Sequence, residues 1–277
     1  MAQLEPYKGG YYLWKYVPSM AAAIIFLIFF MAATFAHSYR IWKTKAWFCV
    51  PFGVGGFFEI IGYAARAAAH KRTGKLMPFA LQNQGTLLAP VFFAASIYMV
   101  FGRIVASVGG WGHSIVRVPW LTKTFVIGDV FSLAVQGGGA GLMVTGSHAT
   151  LAEAIVILGL MIQIVMFGLF VATIGIFHKR MRRAPTTQAF NPNVRWEQYL
   201  HMLYGVSGLI FFRSIFRVIE FALGQDGYPL TNEWTLYIFD SVPMFIVMLV
   251  FYWRFPADIK DNKAFDRAGE DLAVITP

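Results

Sequence analysis

The sequence predicts an all-α membrane protein, a seven-transmembrane helix bundle with the N-terminus outside and the C-terminus cytosolic. Three observations carry that reading. Of 277 residues, 57% are hydrophobic and only 13% charged, more apolar surface than a soluble domain of this size needs. Seven apolar runs are separated by turn signals or clustered charges, and each is long enough to cross a bilayer. Of the 23 Lys and Arg, four lie within the runs, five border the N-terminal side and fourteen border the other. That asymmetry sets the orientation.

The chain opens on a short polar segment, 1–15, followed by an apolar run too long for the core of a cleaved signal. The first run covers about 17–38 and stops at Arg40, Lys43 and Lys45. The second covers about 46–69 and the third about 81–106, with the break His70 to Pro78 between them. Gly109 to Pro119 separates the third from a fourth at about 122–143. Thr145 to Ala149 precedes a fifth at about 150–177. The basic stretch Lys179 to Arg195 leads to a sixth at about 199–222, and Gly224 to Asn232 to a seventh at about 235–254. Backbone groups in lipid must pair internally, so each run is read as a helix. Residues 258–277 mix both charge signs and predict a flexible cytosolic tail; the whole, 1–277, reads as one domain. Trp14, Tyr16, Trp42, Trp47, Trp120, Trp196, Trp234 and Trp253 fall near run ends, where an interfacial aromatic belt is expected.

Charges inside the runs are the informative exceptions. Placing one in hydrocarbon costs a few kcal/mol or more unless it is paired or faces a polar cavity. Residues 59–66 read EIIGYAAR, which puts Glu59, Tyr63 and Arg66 on one helical face, the two charges separated by about 10 Å of rise. Asp129, Arg103, Arg213, Arg217, Glu220 and Asp240 complete a set of four acids and four arginines. Matching depths predicts the pairs Glu59–Arg213, Arg217–Asp240, Arg66–Glu220 and Arg103–Asp129, with Arg217–Glu220 as a contact within one helix. The mirrored order of charges suits helices 2 and 6 as parallel neighbours, and also a three-plus-one-plus-three arrangement in which the two occupy equivalent places. Gln82 and Gln84 open the third run, and Gln136 lies on the Asp129 face before three glycines, 137–139. Those glycines fit either a tight helix crossing or an unwound segment lining a site. These residues could hold the bundle together or line a substrate cavity.

Other classes are excluded or set aside. The formal charge of +9 sits in loops, so nucleic acid is not an expected partner. No phosphate-binding Gly-x-x-x-x-Gly-Lys-Ser/Thr loop occurs, so ATP is not the expected drive. The six histidines form no His-x-x-x-His or Glu-x-x-His pair, and neither metal nor cofactor is expected. His148, at the mouth after the glycine run, is the histidine closest to an exception. Cys49, the single cysteine, excludes an internal disulfide and reads as an inert buried thiol. The inner end of the third run reads FGRIV, without the acidic-Arg-Tyr signature of G-protein-coupled receptors.

The stretches YVPSMAAAIIFLIFF, EIIGYAAR, LQNQGTLLAPVFFAASIYMVFGRI, FVIGDVFSLAVQGGGAG and FRSIFRVIEFALGQDGYPLTNEWTLYIFDSVPM resemble the fungal lipid-translocating exporter family, the resistance-to-aminocholesterol (RTA-like) proteins. The resemblance runs from Tyr16 to about Met244 and includes Pro90, Tyr98, Gly224 and Glu233 with the charged set. It departs at the end of the seventh run, where Phe255-Pro256 stands in place of an expected His-Pro pair. It implies seven spans, fungal origin and a role in moving or handling amphiphiles; an enzyme is not the leading expectation. The function implied is transport or translocation of amphiphiles in the plasma membrane, with sphingoid long-chain bases the best-known cargo and a porphyrin-linked branch alongside. The site residues expected to meet cargo are Glu59, Tyr63, Arg66, Gln82, Gln84, Asp129, Gln136, Arg213, Arg217, Glu220 and Asp240. Expected partners are membrane lipids and an amphiphilic small molecule; the sequence is also compatible with a homo-oligomer. A lipid sensor without transport, with KRMRRAP contacting a cytosolic partner, is the first alternative. Porphyrin transport and metal-dependent lipid hydrolysis follow it.

Overall fold

A computed structural model describes residues 4–7, 12–145, 149–190, 195–224 and 227–259. Seven helices among them are long and apolar enough to cross a membrane. The chain is an integral, multi-pass membrane protein. The first six spans are α1 (Met20–Thr44), α2 (Val50–Ala69, entered through a 3-10 turn at Trp47–Cys49), α3 (Leu76–Ser107), α4 (Val118–Thr145), α5 (Ala149–Arg183) and α6 (Trp196–Ala222). After a single turn, α7 (Tyr228–Thr231), the seventh span is composite. It comprises α8 (Glu233–Leu236), a wide π-helical turn at Tyr237–Ser241, and α9 (Val242–Trp253). Residues 260–277, where the tail is expected, and His148 lie outside the described residues.

Local chemistry explains the ends. Ser19 caps α1, its hydroxyl accepting from the Ala22 amide at 3.4 Å. Lys45 closes α1 in the left-handed region, φ 55°, and turns the chain into α2. α5 runs past its apolar stretch to Arg183, because basic residues in a last turn complement the negative end of the helix dipole. Pro243 follows the π turn. Proline has no N–H to give the carbonyl four residues back, and a wide turn absorbs that loss.

Neighbouring spans pack in sequence, α1 on α2, α2 on α3, and so on to α9, which returns to α1. α3 also touches α6 across the middle. It is the most enclosed span, 72% buried over an 18-residue apolar stretch against 28% for α1 and α4, so α3 is the axis of the bundle. The α2–α3 contact is a backbone approach: a Cβ on Gly85 would stand 2.7 Å from the Phe58 carbonyl oxygen, and one on Gly55 2.8 Å from that of Ala89. Direct packing of helices 2 and 6, one of the two arrangements the charge order allowed, is not the main contact; α3 packs on both.

The aromatic belt divides. Trp42, Trp47, Trp120, Trp234 and Trp253 are exposed as expected. Trp14 and Trp196 are buried instead. Trp14 meets Phe79 and Tyr16 edge-on, so the end of the polar N-terminal segment folds back over the bundle. Cys49 is fully buried.

Candidate functional site

On the face where α1 begins, α3, α4, α5, α6 and α8 surround a cavity of about 150 Å³, with Tyr7, Leu13, Trp14, Lys15 and Tyr16 over it. That volume holds about five waters at liquid density. Its lining is divided by chemistry. Gln82, Asn83 and Gln84 of α3, Gln136 of α4 and Arg217 and Glu220 of α6 supply polar groups. Phe79, Leu87, Val156, Phe221 and Leu236 supply apolar ones. Arg217 Nη1 donates to Glu220 Oε2 at 2.7 Å, a buried pair one turn apart on α6. Arg217 Nε has no partner, so the pair does not use up the guanidinium.

Beside the cavity, Arg66 ties the covering segment down. Its Nη2 donates to Glu233 Oε1 at 2.7 Å and to the Tyr16 hydroxyl at 3.0 Å, its Nη1 to Gln82 Oε1 at 3.1 Å, and its Nε to the Tyr237 hydroxyl at 3.0 Å. Four contacts from one rigid fork join α2, α3, α8, the π turn and the N-terminal segment. Both Glu233 oxygens also accept from the Ser19 amide, at 2.8 and 3.0 Å. Burial raises the Tyr16 phenol above its ordinary value of 10, against the opposing pull of the Arg66 charge. Tyr16 is thus a neutral phenol when it accepts the Arg66 hydrogen.

Deeper in the bundle, Arg213 Nε forms an ion pair with Asp240 Oδ1, too poorly aligned to be a directed hydrogen bond. Arg213 Nη2 donates at 2.6 Å to the Thr86 carbonyl. That acceptor is available because Pro90 sits four residues on, where a helical N–H would otherwise point. The Tyr63 hydroxyl bonds Ser241 Oγ on the π turn, while its ring stacks on Phe30. Glu59 is 2% exposed, in the electrostatic field of Asp240, Arg213 and Arg217, yet no ion pair closes on it among the described residues.

A separate polar seam runs along α4. Tyr98 of α3 donates to Asp129 Oδ2 at 2.7 Å, and Gln136 Nε2 donates to Gln163 Oε1 of α5 at 3.1 Å. Asp129 Oδ1 and Gln136 Oε1 lack partners. α4 stays helical through Gly137–Gly139. A Cβ on Gly139 would stand 2.8 Å from the Ala152 carbonyl oxygen, and one on Gly159 2.9 Å from that of Ser132. A tight crossing holds at Gly139, whereas a Cβ on Gly137 or Gly138 would meet nothing within 4 Å.

Gln82, Gln84, Gln136, Arg217 and Glu220 line the cavity; Glu59, Tyr63, Arg66, Asp129, Arg213 and Asp240 stand behind or below it. The pairs matched by depth are corrected. Arg66 meets Glu233 rather than Glu220, Arg213 meets Asp240 rather than Glu59, and Arg217 takes its own-helix neighbour Glu220 rather than Asp240. Asp129 meets Tyr98, while Arg103 lies over the Phe48 ring at 4.4 Å. Depth matching failed because it ignored helix rotation, and the π turn shifts which residues of the seventh span face inward. Glu233, Tyr16 and Tyr237 were missed as members of the network. Glu233 stands two residues before the seventh run, and an acid at a span end was a readable signal for Arg66. Among the described residues no three His, Cys, Asp or Glu gather as a metal-binding set.

A family model described as "RTA1 like protein" matches residues 52–263. Among curated proteins, the chain is 35% identical to Protein RTA1 of Saccharomyces cerevisiae over 90% of this chain and 86% of that one. It is 29% identical to Protoporphyrin uptake protein 1 of the same yeast, covering 88% and 91% of the two chains. Against a Sphingoid long-chain base transporter RSB1 of S. cerevisiae the identity is 25%, over 83% and 69%. No solved structure matches the chain.

Proposed function

The chain belongs to the RTA1-like family of membrane proteins, and from that premise we propose that it moves a single-chain cationic amphiphile, of the sphingoid long-chain base kind, across the plasma membrane. Two of the relatives above are named for uptake or transport, which supports a membrane transport-related role. The observation that carries the finer reading is the cavity. Its divided lining offers Glu220, Gln82, Gln84 and Gln136 to a polar headgroup, and its apolar wall to the first carbons of a chain. An ammonium would compete with Arg217 for Glu220 in a site partly shielded from water, where charge-assisted bonds are strong. About 150 Å³ accommodates a small amino-alcohol head but no long chain, so the tail would stay in lipid while the head passes.

Lys15 and Arg217 in the lining favour a second reading, an anionic cargo such as a porphyrin carboxylate, in line with the name of one relative. The same volume counts against it, because a macrocycle does not fit without opening of the covering segment. The basic loop residues on the far side support an orientation with that side cytosolic and the cavity facing outward.

The test is purified protein in liposomes with an NBD-labelled sphingoid base, flipping followed by quenching from outside. The wild type is expected to flip it, and folded Glu220→Gln to do so at least about tenfold more slowly, as loss of one charged contact implies. Unchanged rates in Glu220→Gln would remove the cavity from the mechanism. Protoporphyrin movement without flipping of the base would favour the second reading, and purified protein that moves neither probe would leave a sensor role.

A further inference from the structure

We propose that Asp129 is a proton-binding site, exchanging protons with the cavity along the Gln136 face of α4. Its coupling to cargo rests on the transport reading above; the proton site itself does not.

The first ground is position. Asp129 lies near the middle of the 23-residue span Trp120–Leu142 and is 2% exposed. The second is its company. Glu220, Asp240 and Glu233 each have an arginine in ion-pair contact. Asp129 has a neutral phenol. α3 presents Tyr98 to it, and α5 presents Phe167 and Phe170 around that tyrosine and Gln163 further along, where it holds Gln136. On α4 itself the Ser132 hydroxyl turns to the Asp129 carbonyl. Among the described residues no ion pair closes on the carboxylate. The third is the open valence: Oδ1 has no partner.

A bare carboxylate at that depth is costly, and a proton is the smallest ligand that removes the charge. The seam is built for something that small. Gln136 lines the cavity, keeps an unpartnered Oε1 and lies two turns, about 10 Å, along the same helical face from Asp129. Ser132 stands between them, and Gly159 packs its backbone against both Ser132 and Gln136, leaving a tight seam. The step balances simply. A proton from cavity water forms one O–H bond at Oδ1 and leaves by the same bond breaking, with nothing oxidised or reduced. A purely structural Tyr98–Asp129 tie would work as well with asparagine; a proton site would not.

The experiment uses full-length protein in lipid and two readouts. Infrared difference spectra are recorded across the physiological pH range. A protonated-carboxyl band that titrates, moves on carbon-13 labelling of aspartate, vanishes in Asp129→Asn and returns displaced in Asp129→Glu is the expected result. The labelled wild type decides the matter if Asp129→Asn does not fold, since the membrane-embedded aspartates are Asp129 and Asp240 and Asp240→Asn separates them. In liposomes, flipping of the NBD-labelled sphingoid base should change several-fold under an imposed pH gradient in the wild type, and should not respond in Asp129→Asn. A titrating band unaltered by Asp129→Asn, or no titrating aspartate band, overturns the proton site. A gradient response unaltered in the variant overturns the coupling. If no flipping occurs in any protein, the transport reading fails while the infrared titration still decides the proton site.

Discussion

Arg66 concentrates more of this structure than any other single side chain. Removing its counter-charge with Glu233→Ala leaves a buried guanidinium held by neutral groups alone, which is expected to cost about 3–5 kcal/mol. A fall in the thermal midpoint, with Trp14 fluorescence moving toward that of a water-exposed indole, would register both the loss and the release of the covering segment. The link between Pro90 and Arg213 is subtler. Pro90→Ala restores the Thr86 carbonyl's helical donor and puts it in competition with Arg213. A double-mutant cycle of Pro90→Ala with Arg213→Lys should be non-additive by about 0.5–3 kcal/mol; additivity would mean that the proline and the arginine act independently. At this scale the sequence named almost every charged member of the interior, because a charge in an apolar run is conspicuous. It did not name their partners, because a partner is fixed within about 3 Å and run position is known only to a turn or more.

The helices are set by close approach at a few glycines. Gly85→Ala must push α3 off the Phe58 carbonyl and is expected to destabilise by about 1–3 kcal/mol. Gly137→Ala meets nothing within 4 Å and should be neutral or stabilising by up to about 1 kcal/mol, since alanine is the better helix former. Thermal unfolding of the two variants in one detergent tests the contrast. The glycine run was legible as a motif, yet only interhelical distances told Gly139, which is packed, from Gly137, which is not. Similarly, Pro243 was visible while the π turn before it was not. That turn depends on Tyr63 and the neighbouring spans around Ser241 as well as on the proline.

For the molecule as a whole, the surplus of Lys and Arg on one side predicts a definite insertion. An epitope tag at the N-terminus should be reached by antibody on intact cells, and one at the C-terminus only after permeabilisation; the reverse pattern would turn the cavity toward the cytosol. Sequence alone determined seven spans, a charged interior and the resemblance to the RTA-like family. Those follow from hydrophobicity summed over some twenty residues and from residue types that cost energy in lipid. The tertiary structure alone decided which acids meet which arginines, that the cavity gathers on the face where α1 begins, and that the N-terminal segment covers it. Such features depend on helix rotation and backbone approach. They are set by contacts between residues as much as 214 positions apart, as from Ser19 to Glu233, and no local pattern encodes them.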